Sequence, residues 1–174
     1  DATNSFCKGL AYSTYNNNHL LNVRASNMSV FKDEPNHFVN WLASTNKEFS
    51  KDDFVPRKVY ADYVTQTLEN LEEENEFISL QKITSEVTAI LKTEQGFVIN
   101  SIETIEVKKV VLALGNFLPA HPAKTELSYT NSKFYLRNAF SNSLAKTIEN
   151  AHHLTIVGSG LTMLDTLRSL HLFN

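Results

Sequence analysis

The chain has 174 residues, enough for one domain that buries about two-thirds of its unfolded surface, and its 16 Lys and Arg against 19 Asp and Glu give a net charge of −3. Both signs are dispersed, so nothing points to a nucleic-acid partner or an anionic membrane surface. A lone cysteine, Cys7, excludes an intrachain disulfide, and no apolar run approaches the roughly 20 residues of a membrane span.

The opening DATNSFCK lacks signal-peptide architecture, and the expected protein is soluble and cytoplasmic. Up to about Lys51 the sequence is rich in Asn, Ser and Thr, and most of it reads as ordered loop. Two apolar runs interrupt it. LLNV at 20–23 predicts a brief strand, and HFVNWLA at 37–43 a helix of about two turns. Trp41 then belongs to the core.

Next comes FVPRKVYADYVTQTLENLEEENE. Pro56 suits the start of a helix, and Val59, Tyr60, Tyr63, Val64, Leu68 and Leu71 recur at helical spacing. The acidic end, Glu72 to Glu74, is a solvated face rather than a metal site. The period then changes. Phe77 to Leu80 predicts a strand, as do Glu86 to Thr93 and Phe97 to Asn100 around the turn Glu94-Gln95-Gly96. Ile102 to Val107 alternates apolar and polar residues, as a half-exposed strand does.

Lys109-Val-Val-Leu-Ala-Leu-Gly115 is a continuous apolar run closed by glycine, which suits a strand covered on both faces in a parallel sheet. Pro119 and Pro122 break the chain, a helix is predicted over 141–149, and His153 to Val157 forms a second run of the buried type. It leads into Gly158-Ser-Gly160 and a helix-compatible stretch from Leu161. In a dinucleotide-binding turn the first glycine permits the bend and the second lets the backbone approach the pyrophosphate at a helix N-terminus. Gly158 and Gly160 fit those two roles. Met163 departs from the Gly or Ala of the third position, so this turn alone is a weak signal, with an ordinary strand-to-helix turn as the alternative. His121, His152 and His153 have no ligand spacing with a Cys or acid and read as structural; no metal is expected.

Several stretches together resemble one family. GLAYST at 9–14, HLLNVRASNMSVF at 19–31, FVPRKVYADYV at 54–64, VVLALGNFLP at 110–119 and IVGSGLTMLD at 156–165 are similar to the bacterial FAD-NAD(P)-binding protein family, a relative of the flavin-containing and N-hydroxylating monooxygenases. The resemblance implies an α/β fold. By that resemblance it would be a partial two-dinucleotide-binding-domain, Rossmann-like flavoprotein with an inserted three-stranded β-meander. Residues 1–120 would be the remainder of an FAD domain lacking its N-terminal GxGxxG unit, and 121–174 a connection and the start of an NAD(P) domain.

By the same resemblance, Asp1 is the acid that bonds the FAD ribose, or else a frayed terminal residue. His19, Asn22, Arg24 and Ser29 lie beside the flavin cofactor. For His19 a loop-anchoring hydrogen bond, and for Asn22 a local turn, are the alternatives, and Pro is common where Arg24 stands. Arg57 and Tyr60 belong to a P-R-x-x-Y stretch near FAD, with helix-cap and core roles as the alternative. Gly115 passes close to the cofactor, and Gly158 and Gly160 receive the NAD(P) phosphates. The implied function is an FAD-dependent, NAD(P)H-linked oxidoreductase, monooxygenase-like in one form and present as an internal fragment that is itself inactive. It acts on a small-molecule substrate, with no nucleic-acid or membrane partner. The competing readings are a non-catalytic dinucleotide-binding or regulatory protein and an inactive degenerate fragment. No Ser-His-Asp or Cys-His arrangement is evident, since the hard chemistry would belong to the flavin.

Overall fold

The structure, a computed structural model, describes residues 1–45, 47–122, 128–140, 144, 148 and 151–170. The helices that build the core and the site are α1 (Gly9–Tyr12), α2 (His37–Ser44), α3 (Arg57–Glu73) and α4 (Leu161–Leu170). Three strands, β1 (Ala89–Lys92), β2 (Phe97–Asn100) and β3 (Thr104–Val107), form one antiparallel sheet in the order β1-β2-β3.

Helix α3 organises the core. Its residues Tyr60, Ala61, Tyr63 and Thr67 recur at the spacing that puts them on one face, and all four are buried. Tyr60 and Tyr63 meet Phe38 and Leu42 of α2, and Leu21, Ala25 and Val55 close the cluster from the connecting segments. Aromatic rings fill most of this volume. Phe38 lies 5.2 Å from Tyr60 in an edge-to-face arrangement and 4.8 Å from Tyr63. Trp41 packs on the cluster from its rim, with its ring N–H donating to Gln66 at 2.7 Å. The Tyr63 hydroxyl accepts the Val30 N–H at 3.3 Å and sits 2.8 Å from His37 Nδ1, so its one polar atom is satisfied at the edge of the core.

The meander follows the predicted order with shorter strands. Lys92 opposes Phe97 across the first hairpin, and Asn100 opposes Thr104 across the second. Gly96 closes the first turn at φ +154, and a Cβ there would clash with the Val107 carbonyl oxygen. The backbone of β3 passes too close for any side chain at that position.

Four predicted strands join no sheet among the described residues. LLNV forms only an isolated bridge, Leu20 to Pro56, because Pro56 has no N–H with which to extend a ladder. After α3, the Phe77 and Leu80 amides are taken by Asn75 Oδ1 and Glu72 Oε1, which turns the chain instead of extending it. The runs 110–114 and 154–157 form no regular element and make no backbone hydrogen bonds among the described residues, and Val111 is 90% exposed. A continuous apolar run encodes burial on two faces but not the strands that must cover them. The helix predicted over 141–149 falls mostly outside the described residues. Among the described residues no helix is long and apolar enough to cross a membrane.

Candidate functional site

The segment 18–22 runs between α3 and α4 and is fastened to both. Leu21 N–H donates to Val55 O at 2.9 Å, and Arg57 N–H donates to His19 O at 2.8 Å. These bonds place Arg57, the first residue of α3, directly under the loop. Its guanidinium then spreads to three acceptors: Nε donates to Leu20 O at 2.9 Å, Nη2 to Asn22 Oδ1 at 3.2 Å, and Nη1 lies 2.9 Å from Asp165 Oδ2 on α4. Arg57 and Asp165 are both buried, so this is an interior ion pair rather than a screened surface one.

His19 makes a second tie to α4. Its Nε2 lies 3.0 Å from the Asp165 carbonyl oxygen and 2.9 Å from Ser169 Oγ, and its Nδ1 lies 2.7 Å from Thr14 Oγ1. A carbonyl only accepts, so the tautomer protonated at Nε2 satisfies the first contact and leaves Nδ1 to accept from Thr14. Arg168 adds a donor to Asn18 O at 3.0 Å.

Above this network lies an open cleft of about 390 Å³ lined by Leu10, Tyr12, Leu21, Asn22, Arg57, Asn116, Phe140, Thr162 and Asp165, among others. Leu10, Asn116 and Phe140 also line a second, larger cleft of about 1210 Å³, whose wall includes Asp1, Gly9, the 110–115 run and Val87 to Ile90. The two clefts therefore form adjoining compartments. Between them they join the N-terminal loop, the 21–23 segment, the start of α3, the glycine-closed apolar run and the start of α4.

The ten site residues expected from the sequence fall in different places. Asn22 and Arg57 line the smaller cleft, and Asp1 and Gly115 the larger. Asp1 Oδ1 accepts the Thr3 N–H and hydroxyl, both at 2.7 Å, which holds the first residues in a tight turn. His19 is buried in the network beneath the cleft. Tyr60 is in the aromatic core, 5.1 Å from the Tyr12 ring that lines the cleft. Burial, with the neighbouring Tyr12 and Tyr63, pushes its phenol up to about 12, so it stays neutral.

Arg24 is exposed and pairs with Asp52 at 3.0 Å. The Ser29 hydroxyl donates to Glu34 O at 2.6 Å and shapes the 29–34 loop. Gly158 has φ +117, which favours glycine, while neither Gly158 nor Gly160 has an atom within 4 Å of where a Cβ would stand. The backbone approach to both is open, and α4 begins at the next residue, Leu161. Sequence reasoning missed Asn116, Thr162 and Asp165 as cleft residues. Asp165 carried one signal, an acid on the inner face of an otherwise apolar helix turn. Among the described residues no group of three His, Cys, Asp or Glu is placed to hold a metal ion.

No curated protein and no solved structure matches the chain. Residues 1–117 match the family model described as FAD-NAD(P)-binding, which spans the N-terminal loop, the core helices, the meander and the glycine-closed run. This chain belongs to the FAD-NAD(P)-binding family.

Proposed function

We propose that the chain is part of an FAD-dependent, NAD(P)H-linked oxidoreductase, with FAD along the two adjoining clefts and the phosphates of NAD(P) at the Gly158-Ser-Gly160 turn. The observation that carries this reading is the convergence of Asn22, Arg57, Asn116 and the start of α4 on one cleft that continues to Asp1 and Gly115. Two kinds of group meet there. The Arg57 guanidinium and the Asn22 and Asn116 amides supply fixed polar contacts, and Leu10, Leu21 and Phe140 supply an apolar wall for a flat ring.

The residues fit a dinucleotide. Open backbone over Gly158 and Gly160, followed by a ten-residue helix, gives amide N–H groups free to face a phosphate. When bound, FAD would take hydride from NAD(P)H and pass electrons to dioxygen or another acceptor, which is the monooxygenase-like form of the reading. The protein's own part is to bind and orient. Asn22, held by Arg57, presents a fixed amide to the cleft, and the 110–115 run closes its far side.

The same reading divides the chain into an FAD-domain portion, 1–120, and the beginning of an NAD(P) domain, 121–174, of Rossmann type. The exposed, unpaired apolar runs 110–114 and 154–157 support it, because each is of the kind that lies inside a parallel sheet. In the intact protein we place further strands against both. Steady oxidation of NADH or NADPH by the intact, FAD-loaded protein is the expected result. Binding of both dinucleotides with no turnover above the free-flavin rate would leave a non-catalytic dinucleotide-binding protein instead.

A further inference from the structure

Helix α4 carries one carboxylate on its inner face, Asp165, and it is only 5% exposed. A buried carboxylate is unfavourable unless a partner compensates for its lost water. The partner is Arg57, whose Nη1 stands 2.9 Å from Oδ2, although Oδ2 makes no aligned hydrogen bond with any donor. Charge, more than hydrogen-bond direction, holds the two together.

Nε and Nη2 of Arg57 donate to Leu20 O and Asn22 Oδ1. Asp165 therefore completes a three-sided clamp on the guanidinium, and it is the only side that comes from α4. Around it, His19 bonds the Asp165 carbonyl and Ser169 Oγ, and Arg168 bonds Asn18 O. The inner face of α4 is thus seated on residues 18–22 by polar bonds with a charge pair at their centre. Such pairs give little net stability compared with apolar side chains of the same size, so the value of this one lies in where it puts Arg57.

We infer that Asp165 is a positioning residue of the cleft. By holding the Arg57 guanidinium toward Asn22, it makes the hold of the 19–57 segment on a dinucleotide depend on the seating of the helix that follows Gly158-Ser-Gly160. This rests on the reading that the Arg57 side of the cleft binds the dinucleotide. It explains why Asp165, on the helix that follows Gly158-Ser-Gly160, also lines the cleft beside the 21–23 segment. Binding at the two places is then coupled through one ion pair.

The test uses the full chain, with FAD as the probe, and compares Asp165→Asn, Arg57→Lys and the double variant. Asp165→Asn keeps the shape and removes the charge. The expected result is an FAD dissociation constant raised about tenfold by Asp165→Asn, which corresponds to roughly 1.4 kcal/mol. Arg57→Lys has a similar effect, and the double variant is less than about twice as weak as either single one, as two residues acting through one contact require.

Exchange of the Arg57 Nε–H, followed by nuclear magnetic resonance, is the readout that requires no cofactor, and it should accelerate in Asp165→Asn. Additive losses, or unchanged FAD affinity and unchanged Nε–H exchange in Asp165→Asn, overturn the inference. If Nε–H exchange accelerates while Arg57→Lys binds FAD as the unaltered chain does, the cofactor reading of the cleft fails and the positioning of Arg57 by Asp165 stands. If Arg57→Lys weakens FAD and Asp165→Asn does neither, the cofactor reading stands and the positioning role falls.

Discussion

Phe38→Ala is expected to destabilise the chain by about 3–5 kcal/mol, the range for removing a fully buried aromatic side chain. Phe38 has no exposed surface and sits where α2 meets α3, ringed by Trp41, Tyr60 and Tyr63. The rings around it are rigid and cannot collapse into the space it leaves, so both the transfer loss and the cavity contribute. The described core is small, seven buried residues in one cluster, and a loss of this size is a large fraction of ordinary domain stability, about 5–15 kcal/mol. Denaturant unfolding checks it. A midpoint shift equivalent to less than about 1 kcal/mol would mean that the aromatic cluster is not the stabilising centre of the fold.

Arg57→Met is expected to cost a similar amount, about 3–5 kcal/mol, by a different route. Methionine replaces the stem of Arg57 but strands the Asp165 carboxylate, buried on α4, whose ion-pair partner among the described residues is Arg57. It also frees the Leu20 carbonyl and the Asn22 amide, which tie the 18–22 segment to α3. The double variant Arg57→Met, Asp165→Leu should recover most of that loss, because an apolar pair of similar volume removes the stranded charge together with its partner. Its dinucleotide affinity should remain low. Recovered stability with persistent loss of binding would separate the role of the pair in the cleft from its role in folding.

The parts of the fold that were legible in the sequence depend on local period. The spacing of Tyr60, Tyr63 and Val64 announced α3, HFVNWLA announced α2, and the alternation of Ile105 and Val107 with polar neighbours announced β3. The turn Glu94-Gln95-Gly96 announced the first hairpin, and the structure adds why glycine closes it, since a Cβ there would clash with the Val107 carbonyl oxygen. Partner choice was not legible. The run 110–114 states that it is apolar on both faces, but not which strand it pairs with, and no period distinguishes a covered strand from an uncovered one. The Arg57–Asp165 pair lay beyond reach for the same reason. Each residue is ordinary on its own helix, and their meeting depends on how the chain returns across the 18–22 segment. His19 and Arg24 show the other limit. The resemblance sets both beside the flavin, with a loop-anchoring bond as the alternative for His19, and it does not foretell the contacts they make, a buried network beneath the cleft for His19 and a surface partner in Asp52 for Arg24.

The adjoining clefts are proposed to hold a dinucleotide. Amide hydrogen exchange across the full chain, with and without FAD, tests it most directly, since it reports binding and place together. Bound FAD is expected to give saturable protection of residues 9–13, 21–23 and 110–116, the segments that line the two clefts. Exchange that is unchanged by FAD, or protection confined to the outer face of the β1–β3 sheet, would contradict it.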